Sequence, residues 1–212
     1  MNIVLIGASG FIGSALLAEA LDRGHRVTAL LRQPAKLAAR EGLSAQALDV
    51  ADTAALTDRL RGAEAVVSAY SGHSQDDVRG AYVAGFRSIL AATKASGVLR
   101  LLVVGGAGSL EGAPGQQVVD SPDFPAQWKG SALGARDALN LLRDEASLDW
   151  TMLSPSALIQ PGERTGRFRL GTDQLLVGED GQSRISVEDY AVAMIDELER
   201  PAHTRRRFTV GY

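Results

Sequence analysis

Gly7, Gly10 and Gly13 stand three residues apart, directly after the apolar run Asn2-Ile3-Val4-Leu5-Ile6 and directly before a stretch of helical periodicity that begins at Phe11. Glycines so placed can hold an anion. Gly7 ends a strand where the chain must turn sharply, Gly10 lacks the Cβ that would keep a phosphate off the backbone, and Gly13 lets the next helix lie close to the sheet. The helix start adds N–H groups and the positive end of a dipole, which together suit a pyrophosphate. The spacing is G-x-x-G-x-x-G rather than the standard G-x-G-x-x-G. The strand before it and the helix after it therefore weigh as much as the glycines themselves.

Arg32 is the next residue with chemical meaning. In a dinucleotide site, a carboxylate about twenty residues past the glycines accepts the ribose 2′-hydroxyl, whereas a basic residue there favours a 2′-phosphate. No Asp or Glu lies between Arg23 and Glu41, and Arg32 ends the second apolar run. A guanidinium bonds phosphate bidentately, so NADP(H) is expected in preference to NAD(H). Asp49-Val50 falls where an adenine would approach the sheet, and the small Ser68 and Ala69 would leave the cofactor room. Gly105 opens a second glycine-rich segment, Gly105-Gly106-Ala107-Gly108, which leads to Ser109. His73 follows the fourth apolar run and is expected on the rim of the crevice as a weak proton-donor candidate. His25 reads as an idle turn residue.

These groups need an alternating framework. Strands are expected at 2–6, 26–31, 43–48, 65–69, 99–104, 150–154 and 208–210. Helices are expected from about 11 to the Gly24 stop, at 53–61, 78–96 and 131–145, and after Ser186, which with Asp189 makes a near capping box. Strand–helix alternation with short links implies an α/β fold: a Rossmann-type, doubly wound parallel sheet whose ligand sits beyond the strand C-termini where strand order reverses. Residues 112–127 contain three prolines and read as a loop that could lid the site. Residues 161–182 read as a small substrate-side insertion in a single 1–212 domain.

Composition narrows the function classes. The 212 residues are 45% hydrophobic and 22% charged, with 22 Lys and Arg against 25 Asp and Glu, a net charge of −3. No basic field is available for nucleic acid or an anionic membrane. Arg205-Arg206-Arg207 reads as a solvated turn before a strand. With no cysteines and three scattered histidines, thiol chemistry is excluded and no metal site is expected. No signal-like or membrane-spanning run is present, which sets a cytoplasmic expectation.

The sequence resembles the atypical short-chain dehydrogenase/reductases that bind NAD(P)H, a group that includes NmrA-like proteins and the biliverdin reductase B type flavin reductases. Gly7-Ala8-Ser9-Gly10-Phe11-Ile12-Gly13, Arg32, Asp49-Val50, Gly105-Gly106-Ala107-Gly108-Ser109, Leu153-Ser154-Pro155-Ser156 and Ile185-Ser186-Val187-Glu188-Asp189-Tyr190-Ala191 carry the likeness. It implies that Ser9, Phe11, Ile12, Pro155 and Ser156 join the cofactor site and that Ser109 stands at the family's serine position. The Tyr-x-x-x-Lys pair is missing: no tyrosine lies between Tyr82 and Tyr190, Trp128 and Ala132 hold the two places, and Lys129 is near but out of pattern.

Typical members use that pair as a general acid. Hydride transfer to a flavin, a quinone or a similar planar acceptor can do without it, because the cofactor carries the chemistry. The leading expectation is such a reductase, with Ser109 orienting the acceptor, acting as a monomer or homodimer. The alternatives are a non-enzymatic NADP(H) sensor of NmrA-like type and, third, an epimerase or dehydratase, for which the chain after Pro155 is short.

Overall fold

The computed structural model describes residues 1–73 and 76–212; Ser74, the last residue of the expected 70–74 loop, lies outside them. Chain order among the described residues begins β1 Asn2–Ile6, α1 Phe11–Asp22, β2 Arg26–Leu31, β3 Leu43–Ala47, α2 Thr53–Leu60, β4 Ala65–Ser68, α3 Val78–Ser96 and β5 Arg100–Val104. It continues with β6 Glu111–Ala113, β7 Gln116–Gln117, α4 Ala126–Arg143, β8 Asp149–Ser154, β9 Leu158–Gln160, β10 Arg169–Gly171, β11 Arg184–Ser186, α5 Val187–Glu199 and β12 Arg206–Gly211.

Eight strands form one sheet in the order β10-β12-β8-β5-β4-β1-β2-β3, parallel except for β10. The chain steps outward from β1 to β2 and β3, then returns to β4 on the other flank of β1. That reversal creates a crevice beyond the C-terminal ends of β1 and β4. Both faces of β1 are buried, as its unbroken apolar run implies. Ile3 and Leu5 pack with Leu16, Ala20, Tyr190, Met194 and Phe208 beneath α1 and α5. Val4 and Ile6 pack with Leu56, Phe86, Leu139 and Met152 beneath α2, α3 and α4.

Helix ends follow local chemistry. Asp52 and Asp77 cap α2 and α3 by accepting the N–H of Ala55 and Gly80, each at 2.9 Å. Gly97 closes α3 in the left-handed region at φ 83°. Ser186 caps α5 through the Asp189 N–H at 3.0 Å. The Asp189 carboxylate does not fold back as a capping box would. It accepts the Gly166 N–H and the Tyr212 hydroxyl, both at 2.8 Å, and so ties two distant segments to this helix.

Three expectations need correction. The 112–127 segment is not all loop: β6 and β7 form a small hairpin, and α4 starts at Ala126 behind Pro125, five residues early. Within residues 161–182, β10 pairs antiparallel with β12 and forms the edge of the sheet. His25 is buried rather than idle, with Nε2 2.9 Å from Glu199 and Nδ1 3.2 Å from the Met1 amino group. Arg207 is not solvated. Strand alternation turns it inward, where its side chain is 3% exposed and paired with Asp173. No helix among the described residues is long and apolar enough to cross a membrane.

Candidate functional site

The turn after β1 is shaped by contacts that only glycines permit. Gly7 adopts φ +85°, and a Cβ there would lie 2.7 Å from the Ala69 carbonyl oxygen, so β1 and β4 converge at this point. The Gly10 N–H donates to the Gly7 carbonyl at 3.0 Å. At Gly13 a Cβ would lie 2.0 Å from that same carbonyl, which is how closely the first turn of α1 presses on the glycine loop. Ser9, Gly10 and Phe11 are exposed. Gly10 caps α1 without a side-chain bond, and no acidic residue occupies the first turn. The positive end of α1 thus opens onto the crevice beside an exposed backbone turn, a cradle that fits a pyrophosphate.

The flank expected to hold the adenosine half is assembled by β2, β3 and β4. Arg32 follows the last residue of β2 and is exposed, Asp49 is also exposed, and Val50 is half-buried against the core beneath α2 and α3. Asp49 accepts the Ala51 N–H at 3.0 Å, which fixes the turn after β3. Burial raises the Tyr70 phenol, helped by the Asp49 carboxylate and opposed by the Arg32 guanidinium, so both charges act at the same end of the sheet. Ser68 is buried and Ala69 half-buried, which leaves the backbone rather than bulky groups at the mouth.

The other flank is built by β5, β8 and α4. The Gly105 N–H donates to Leu153 at 2.8 Å, and a Cβ on Gly105 would meet the Met152 side chain at 2.8 Å and Ser154 Oγ at 3.0 Å. Ser154 Oγ is buried with no hydrogen-bond partner among the described residues. Pro155 and Ser156 are buried, and the Ser156 hydroxyl donates back to Val210 at 2.9 Å. Ser109 is likewise turned inward at 1% exposure. Its hydroxyl donates to the Gly106 carbonyl at 3.4 Å and accepts from Arg207 at 3.3 Å. Arg207 also donates to Asp173 at 2.9 Å, so it joins the β5 turn to the 161–182 insertion.

The places of the absent Tyr-x-x-x-Lys pair are visible in the structure. Ala132 faces the glycine segment, with its Cβ 2.8 Å from where a Gly108 Cβ would be. Trp128, one turn earlier on α4, is 56% exposed, and its ring centroid lies 6.5 Å from that of His73 in an edge-on arrangement. The chain has four tyrosines. Tyr82 donates to Val104, Tyr190 to Leu153, Tyr70 to Ala81 and Tyr212 to Ser186 and Asp189. Burial raises Tyr82 and Tyr190 above the ordinary phenol value. No phenol is therefore poised to give a proton in the crevice. His25 and His203 precede β2 and β12 at the opposite ends of the strands, and no metal-binding cluster exists among the described residues. Residue types alone did not expose the inward Arg207, nor Trp128 as an exposed ring. Strand alternation was the available signal for the first and helical spacing to Ala132 for the second.

Comparison with known proteins agrees with this geometry. YwnB of Bacillus subtilis, an uncharacterized protein, is 38% identical across 99% of this chain and 98% of its own. A Bacteroides thetaiotaomicron protein provisionally named an epimerase is 46% identical, with a TM-score of 0.93 over 100% of this chain and 96% of the other. A Streptococcus pneumoniae protein provisionally named an NADH-flavin reductase is 33% identical, with a TM-score of 0.87 over 100% and 99%. The model of the NAD(P)H-binding family matches residues 7–198, a span that contains the glycine cradle, the β5 turn and all of α5 but its last residue. The chain belongs to the NAD(P)H-binding family.

Proposed function

We propose that the protein is an NADPH-dependent reductase of a flavin, a quinone or a similar planar acceptor. The observation that carries this reading is the make-up of the crevice wall: Trp128 and Ala132 replace an acid–base pair, and all four phenols are committed elsewhere. Gly7, Ser9, Gly10, Phe11, Ile12 and Gly13 would hold the pyrophosphate, Arg32 the 2′-phosphate, and Asp49, Val50, Ser68 and Ala69 the adenosine side. Gly105, Pro155 and Ser156 would border the nicotinamide. When bound, the reduced nicotinamide supplies a hydride and water supplies a proton, so the acceptor gains two electrons and two hydrogens while the dinucleotide is oxidised. The residues then need only hold two flat rings face to face and exclude competing water. Ser109, buried against Arg207, would shape the β5 turn and orient the site through it. The provisional name of the Streptococcus relative agrees with this acceptor class.

The test is a mixture of the protein with NADPH or NADH and a panel of flavins and quinones, followed by loss of nicotinamide absorbance. Steady turnover with a preference for NADPH, reduced at least tenfold by Arg32→Ala, is expected. Tight NADPH binding without turnover on any acceptor would replace the reductase with a redox sensor. Equal losses of NADPH and NADH affinity in Arg32→Ala would remove the 2′-phosphate assignment.

A further inference from the structure

The fold brings two exposed rings to the crevice from different elements. Ala132 touches Gly108 at the end of the β5 segment, so this face of α4 looks onto the site. Residues four apart share a helix face, which stands Trp128 one turn, roughly 6 Å, above the glycine segment on that side. Gly130 lies against Val78 and Arg79, so the mouth is framed by the starts of α3 and α4. His73, from the loop after β4, lies beside Trp128, its ring centroid 6.5 Å from that of the indole and its plane 69° away. The two rings meet in a T-shaped contact, and Trp128 stays 56% exposed. Such an aromatic surface would ordinarily be covered, and here it stands at the mouth of the crevice.

We infer that Trp128, in T-shaped contact with His73, is the stacking platform of the acceptor subsite, and that it selects oxidised planar rings. This rests on the reductase reading above. An electron-rich indole face attracts an electron-poor isoalloxazine or quinone ring, and the attraction falls once reduction loads that ring with electrons. The platform would therefore favour substrate over product and assist release.

The experiment uses the full chain with NADPH and, as probes, flavin mononucleotide and a water-soluble naphthoquinone. Of the two tryptophans, Trp150 is 4% exposed, with its indole N–H bonded to Glu145, so the part of the quench on acceptor binding that Trp128→Ala removes reports Trp128. Trp128→Ala should raise the acceptor KM about tenfold, with kcat and the NADPH Kd within twofold, and should abolish the quench. Trp128→Phe, which keeps a ring, should recover most of the affinity, and a normal circular dichroism spectrum would show that the fold survives. An acceptor KM within twofold in Trp128→Ala, with turnover intact, overturns the platform and leaves the reductase reading standing. Should the wild type turn over no acceptor, the reductase reading falls, and the quench titration in the presence of NADP+ decides the subsite alone. A quench lost in Trp128→Ala supports it, and no quench in the wild type overturns it.

Discussion

Gly10 and Gly13 should fail in opposite ways when each is given a single methyl group. At Gly13 the new Cβ would stand 2.0 Å from the Gly7 carbonyl oxygen and 2.8 Å from its carbon, against a closest real approach of about 3.0 Å. Both partners are backbone, so no rotamer change relieves the clash, and α1 must back away from the turn by about an ångström. Overpacking of rigid groups costs about 1–3 kcal/mol, and this case should reach about 3 kcal/mol or more. For a chain of this size that lowers Tm by about 6–12 °C. At Gly10 the Cβ would lie 3.3 Å from the same oxygen, and its backbone, φ −78° and ψ 171°, suits any residue. Gly10→Ala should therefore keep Tm within about 2 °C. Its methyl would fill the exposed face of the cradle and weaken NADPH at least tenfold. Circular dichroism melts without nucleotide and fluorescence titration with NADPH separate the two outcomes. A Gly13→Ala melt within 2 °C of wild type would refute the close approach, and an unchanged NADPH Kd in Gly10→Ala would remove the turn from the cofactor site.

Two further outcomes follow from groups outside the cradle. The Lys94 ammonium, then the Ser147 hydroxyl and N–H, hold the Glu145 carboxyl at about 2, so its stabilising effect is full above about pH 4.5 and is lost as pH falls toward 2. Lys94 is 47% exposed, and solvent screening leaves the pair about 1 kcal/mol; Lys94→Met should lower Tm by about 2–4 °C at pH 6 and progressively less below pH 4, whereas an equal loss at pH 6 and pH 2 would contradict the pairing. Ser109→Ala removes one buried acceptor from Arg207 and should cost a few degrees in Tm with kcat within twofold. A hundredfold loss of kcat at unchanged Tm would instead return Ser109 to the reacting groups.

Local pattern carried most of the framework. Strands at 2–6 and 26–31 and the helix at 78–96 emerge with the expected bounds, because an apolar run, a side-chain cap and a terminal glycine act over neighbouring residues. The cradle was legible for the same reason, since its three glycines lie within one turn. What stayed hidden depends on distant partners. The α4 start carries no side-chain cap and follows a proline-rich run, so no local side-chain signal marks Ala126 as the first helical residue. Three consecutive arginines look solvated until strand β12 turns the third inward onto Asp173, 34 residues away in sequence. The burial of His25 likewise needs Glu199 from the far end of the chain.

The pairing of β10 with β12 has a consequence for anyone who would shorten the molecule. Strand β12 is buried from Arg207 to Gly211, and β10 occupies its outer hydrogen-bonding edge. Replacing residues 161–182 by a tight link would leave that row of N–H and C=O groups open beside Phe208 and Val210, a template for a strand from a second molecule. The opposite edge needs no such guard. Strand β3 is five residues long and carries Ser44 and Gln46, the latter bonded by Arg59, along a largely exposed surface. The excursion expected to cover a pocket thus also keeps one copy of the sheet from extending into the next.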